Sequence, residues 1–165
     1  MSILSKIQRI NELVTRLYNY YIPPFKIALA TLTEDELQNT LNNLFNKTKP
    51  YSWFRLDGKY YTTTLDLFKK VVEWDWTDSR KYISESFDCD KFSIYFKSRM
   101  AIDYGINAIG VILDYSGGHA YNLVIVKNPN PQLYLFEPQT DEIFTYDNRN
   151  TRLYPMKANG WVLIL

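Results

Sequence analysis

Four apolar runs rich in β-branched and aromatic residues crowd the last third of this chain: Ala108 to Leu113, Ala120 to Val126, Gln132 to Phe136 and Trp161 to Leu165. Each has the length and composition of a strand, and turn chemistry separates them, with Gly117-Gly118 before the second and Asn128 to Pro131 before the third. The segments ahead of them are helical in period. Helices first and closely spaced strands afterwards are incompatible with a doubly wound parallel sheet, in which the two alternate. The order predicts an α+β domain with a mostly antiparallel sheet.

The helical part begins with Ile3, Ile7, Ile10, Val14, Leu17 and Tyr21, spaced alternately by four and three, which is one apolar stripe along a helix that Pro23 and Pro24 stop. The stripe either packs on the body of the domain or pairs with another chain, since three heptads suffice for a coiled coil. Thr33 with Glu36 forms a capping box for a second helix through Leu37, Leu41, Leu44 and Phe45, ending by Pro50. Tyr51 to Thr63 turns aromatic and β-branched around Asp57-Gly58, which predicts a hairpin. Thr64 caps a third helix through Leu65, Phe68, Val71 and Val72. Asp88 or Cys89 starts a fourth, which carries Phe92, Ile94, Tyr95, Phe96 and Met100 and stops at Gly105. We divide the single expected domain, 1–165, into a helical part at 1–50 and a core at 51–165.

Composition narrows the function. Nineteen basic against eighteen acidic residues leave a net charge of +1, which gives no electrostatic reason to expect nucleic acid or an acidic membrane as partner. The single cysteine excludes an intramolecular disulfide framework, and the charged and amide residues between Met1 and Tyr21 interrupt any signal-peptide core, so the expected setting is cytoplasmic and reducing. One His with one Cys is too few for a typical catalytic zinc site, and no phosphate-binding glycine pattern occurs.

What remains is nucleophilic chemistry. Phe87-Asp88-Cys89-Asp90 puts the only thiol at a helix start, where unpaired N–H groups and the helix dipole favour the thiolate, although both flanking aspartates oppose it. The only histidine, His119, opens the strand after Gly117-Gly118 and suits a general base at a sheet rim. Glu137 ends the next strand. If those two strands are antiparallel neighbours, Glu137 meets His119 and fixes its tautomer. The backbone N–H of Cys89 is one natural oxyanion donor. Trp53, Trp74, Trp76 and Trp161 either line a substrate cleft or pack in the core, and Gln139 offers polar contacts or simply shapes a turn.

These three segments, Phe87-Asp88-Cys89-Asp90, Gly118-His119-Ala120-Tyr121-Asn122 and Phe136-Glu137-Pro138-Gln139-Thr140, together resemble the papain-like cysteine protease domain at the C-terminus of the Marasmius oreades agglutinin and lectin-related proteins of phage and bacteria. The resemblance covers roughly Tyr51 to Phe144. It implies a papain-like fold with Cys89 as nucleophile, His119 as base and Glu137 as the residue orienting the histidine, and a peptide or isopeptide amide as substrate. It also implies a dependence on calcium, for which Asp88 and Asp90 are candidate ligands. On their own chemistry, Trp76 and Gln139 are the residues assigned to the substrate side. Papain's upstream Gln is missing here: no Gln lies between Tyr51 and Cys89. Hydrolysis, acyl transfer to an amine, and a binding protein that keeps the fold without turnover are the open alternatives, with self-association through the first helix beside them.

Overall fold

A computed structural model describes residues 3–21 and 25–165. In chain order the elements are α1 (Ile3–Tyr21), β1 (Ala30–Leu32), α2 (Glu34–Phe45), β2 (Ser52–Phe54), β3 (Tyr60–Thr62), α3 (Leu65–Trp74) and α4 (Cys89–Tyr104). Then follow β4 (Ile109–Asp114), β5 (His119–Lys127), β6 (Pro131–Glu137), β7 (Glu142–Phe144) and β8 (Trp161–Ile164). The architecture is mixed α+β, as the order of patterns predicts.

Six strands form the main sheet in the order β2-β8-β4-β5-β6-β7, antiparallel at every pairing except β2 with β8. Both faces of its centre are covered. On one face Tyr121, Leu123 and Ile125 of β5 join Leu135, Trp161, Leu163 and the α2 residues Leu37, Leu41 and Leu44. On the other, Val124, Val126 and Phe136 pack against Phe68, Val71 and Val72 of α3 and Phe96 and Met100 of α4. Burial on both sides is why β5 reads as an unbroken apolar run instead of an alternating one.

Local chemistry sets the helix ends. Glu36 N donates to Thr33 Oγ1 at 3.2 Å and Thr33 N donates back to Glu36 Oε2 at 2.9 Å, completing the capping box of α2. Leu67 N donates to Thr64 Oγ1 at 3.3 Å at the start of α3. Gly105 closes α4 in the left-handed region at φ 69°, a conformation that costs a residue without Cβ little.

Two expectations fail. The Asp57-Gly58 segment does not close a hairpin: β2 adds in parallel to β8, while β3 pairs with β1 in a separate two-stranded sheet. Asn107 holds the intervening loop instead, donating from Nδ2 to Asp57 Oδ2 at 3.0 Å and Lys59 O at 2.9 Å, so a residue distant in sequence decides the path. The stripe of α1 does not pack on the domain either; Ile3, Leu4, Ile7, Ile10, Leu13, Val14 and Leu17 are all at least 49% exposed. The stop assigned to Pro23 and Pro24 lies outside the described residues. Two short strands, β1 and β7, have no counterpart among the expected elements.

Candidate active site

The fourth helix delivers the thiol. Cys89 is its first helical residue and Asp88 its N-cap, in extended conformation and without a side-chain cap hydrogen bond, while Lys91 N donates to Asp90 Oδ1 at 2.8 Å. Ser93 Oγ donates to Cys89 O at 2.9 Å, closing the first turn. Asn122 of β5, fully buried, donates from Nδ2 to Ser93 O at 3.0 Å and to Gly110 O at 3.1 Å, which pins that turn to the sheet. At its other end α4 runs through Gly105 into β4, whose Ile109 pairs with Val124. Helix and β5 therefore run in the same sense, and their first residues, Cys89 and His119, lie at the same end of the sheet.

On that end His119 and Glu137 meet, with Nε2 to Oε2 at 2.6 Å. The antiparallel register of β5 and β6, Asn122 opposite Phe136, brings them together as the spacing of the motifs requires. Glu137 is buried and well supplied with donors. Its Oε1 accepts Gln139 N at 3.1 Å and Gln139 Nε2 at 3.3 Å, and its Oε2 also accepts the Tyr154 hydroxyl at 3.3 Å. Burial, with Glu137 alongside, pushes the Tyr154 phenol up, so that it stays a donor at neutral pH. The half-buried imidazole has Tyr121 and Tyr154 beside it, with ring centres 5.9 and 5.7 Å away. With Nε2 committed to Glu137, Nδ1 is the nitrogen left for chemistry.

Behind the couple stands a second buried carboxylate, Asp114, at the end of β4. It accepts Ser116 N at 3.1 Å, Met156 N at 2.8 Å and the Tyr121 hydroxyl at 3.2 Å. These bonds tie the Ser116 to Gly118 turn, which leads into His119, to the segment that carries Tyr154. Arg149 fixes the other side of that segment, donating from Nε to Tyr154 O at 2.9 Å and from Nη2 to Pro155 O at 3.2 Å. Asp114, Arg149 and Tyr154 are absent from the sequence reading, and Asn122 enters it only as the end of the His119 motif, without a role. An aspartate closing an apolar strand just before Gly117-Gly118 is the signal that was available for the first; nothing local marks the others.

The remaining candidates divide. Trp76 is exposed and lines a cavity of about 340 Å³ with Glu73, Asp75, Asp78, Ser79 and Asp141. Burial there, with Asp78 and Asp75 close, pushes the Asp141 carboxyl up to about 7. Trp161 is wholly buried, while the partly buried Trp53 and Trp74 pack against the core, on Phe45 and edge to face with Phe25. Gln139 donates to Glu137 from its backbone N and from its side-chain amide, which keeps one further N–H. Asp88 and Asp90 converge on the Lys91 ammonium, at 3.1 Å and 3.0 Å. Among the described residues no group of three or more His, Cys, Asp or Glu could hold a metal. Two carboxylates that share one lysine ammonium do not make the six to eight oxygen ligands that calcium takes. The structure thus joins His119 to Glu137 and sets Cys89 at the same end. Among the described residues no hydrogen bond links its sulfur to the imidazole.

Fold and site define a mixed α+β domain in which a half-buried histidine, bonded to a buried carboxylate, lies at the end of the sheet where a helix begins with cysteine. By sequence the chain belongs to the family described as the ricin-type beta-trefoil lectin C-terminal domain, whose model matches residues 28–153. Its fold is shared with the solved structure titled "PSL1a-E64 complex", at a TM-score of 0.59 and 24% identity over 82% of this chain and 51% of that one. It is shared equally with Polyporus squamosus lectin bound to a human-type influenza-binding epitope, at a TM-score of 0.59 and 22% identity over 80% and 49%. The chain spans about half the length of these structures. No curated protein matches it. No helix among the described residues is long and apolar enough to cross a membrane.

Proposed function

We propose that this lectin-related domain is a papain-like cysteine hydrolase of peptide or isopeptide amides. The observation that carries the reading is the 2.6 Å contact from His119 Nε2 to the buried Glu137 carboxylate, at the end of the sheet where α4 begins with the only thiol. A carboxylate so placed stabilises the imidazolium and leaves Nδ1 toward a group arriving over the first residue of β5. In this mechanism the Cys89 thiolate attacks the acyl carbon and His119 Nδ1–H protonates the leaving amine. Water, deprotonated by the imidazole, then releases the acid from the thioester. The N–H of Cys89, which Asp88 does not cap, donates to the oxyanion. The donor set around Cys89 does not fit calcium, so no step is assigned to a metal.

A second reading is a glycan- or protein-binding domain without turnover. It is favoured by the lectin relatives. Incubation of the chain with an unfolded protein substrate, with fragments identified by mass spectrometry, separates the two. Cleavage that disappears in Cys89→Ala is expected for the hydrolase; intact substrate with both proteins leaves the binding reading. E64, named with one structural neighbour, is the first compound to try as a blocker.

A further inference from the structure

We infer that α1 is a self-association element, through which copies of this chain join in a parallel coiled coil. The helix runs for 19 residues from Ile3 to Tyr21, ahead of the matched family segment 28–153. Ile3, Ile10 and Leu17 occupy one core position of a heptad and Ile7 and Val14 the other. That 3.5-residue period marks a supercoil seam, whereas a helix packed on its own domain needs only a broader stripe. All five of these side chains stay exposed, as do Leu4 and Leu13 on the seam's flanks, so the domain itself does not cover them. A lone helix of this length, with β-branched residues at four of its five seam positions, is marginal in water and gains its stability from a partner on that face.

The charges beside the seam are compatible with a second copy. In a parallel self-pair the seam is flanked by Lys6 on one helix and Asn11 on the other, and Leu13 adds apolar contact, so no like charges oppose each other across the interface. Arg9 and Glu12, three residues apart, lie away from the seam and can neutralise one another along the outer face. That outer face also carries Arg16, Gln8 and Thr15, so it is the 3.5-residue period of the seam, and not the charge of the outer face, that favours a second copy over a lipid surface. A second copy satisfies both the period and the charge pattern.

Sedimentation of the whole 165-residue chain tests this, from about 1 to about 100 μM, with Ile10→Asp and Ile10→Leu in parallel. Concentration-dependent dimers or trimers are expected, with Ile10→Asp weakening association at least about 100-fold and Ile10→Leu retaining it. Because Ile10 is exposed, an unchanged circular dichroism signature of the core in Ile10→Asp separates lost pairing from unfolding. A monomer at every concentration, or an oligomer indifferent to Ile10→Asp, overturns the inference. So does a monomer that co-sediments with vesicles of phosphatidylcholine and phosphatidylserine, which makes the stripe a lipid-binding face instead.

Discussion

Glu137→Gln is expected to lower turnover about 10³-fold while leaving the fold intact, because it reverses the tautomer of His119. The reason is local. Gln139 points two donors at Oε1, so the one oxygen that glutamine retains is held on that side. Its NH2 then faces His119 Nε2, which must accept, and the ring proton moves to Nδ1 in the resting state. A neutral ring protonated at Nδ1 cannot take the thiol proton, and without the carboxylate the imidazolium loses its partner. Peptide hydrolysis measured for Glu137→Gln and for Tyr154→Phe distinguishes this account from general damage. The phenylalanine variant removes one donor but keeps the carboxylate and is expected to lose no more than about tenfold. Equal losses in the two variants would argue that the pocket has simply collapsed.

Phe96→Ala is expected to destabilise the protein by about 3–5 kcal/mol, read as a lower denaturation midpoint at unchanged slope. Phe96 is wholly buried and lies with its ring centre 4.4 Å from that of Phe136 and 6.2 Å from that of Phe68, so one side chain joins α4, β6 and α3. Its loss leaves a cavity between the helix that carries Cys89 and the strand that carries Glu137. Activity should fall in step with the folded fraction, and further wherever the helix shifts. A loss below about 1 kcal/mol would mean that the α3–α4 layer relaxes into the space.

The features legible from sequence were those encoded locally. Thr33 and Glu36, Thr64, Gly105 and the turn at Asn128 to Pro131 each carry their structural instruction within a few residues, and the elements they bound appear where expected. His119 with Glu137 was legible for a further reason, because two strands joined by a short turn leave one register in which the start of the first meets the end of the second. The Asp57-Gly58 hairpin failed because Asn107, about fifty residues away, holds that loop, and β8 from the far end of the chain captures β2. The roles of Tyr154 and Asn122 were invisible for the same cause: each residue acts through a contact distant in sequence, on Glu137 and on Ser93. Lys91, the residue after Asp90, reaches both the Asp88 and Asp90 carboxylates, an ion pairing that the bare sequence does not announce.

The most direct test of the Cys–His pairing is the alkylation rate of Cys89 by iodoacetamide at about pH 6, where an ordinary thiol is almost wholly protonated. With one cysteine in the chain, every label incorporated reports on that site. A thiolate stabilised by the His119 imidazolium predicts labelling at least about tenfold faster in the wild type than in His119→Ala. Equally slow labelling of the two proteins would contradict the pairing and leave a lectin-related domain whose cysteine is only a helix-start residue.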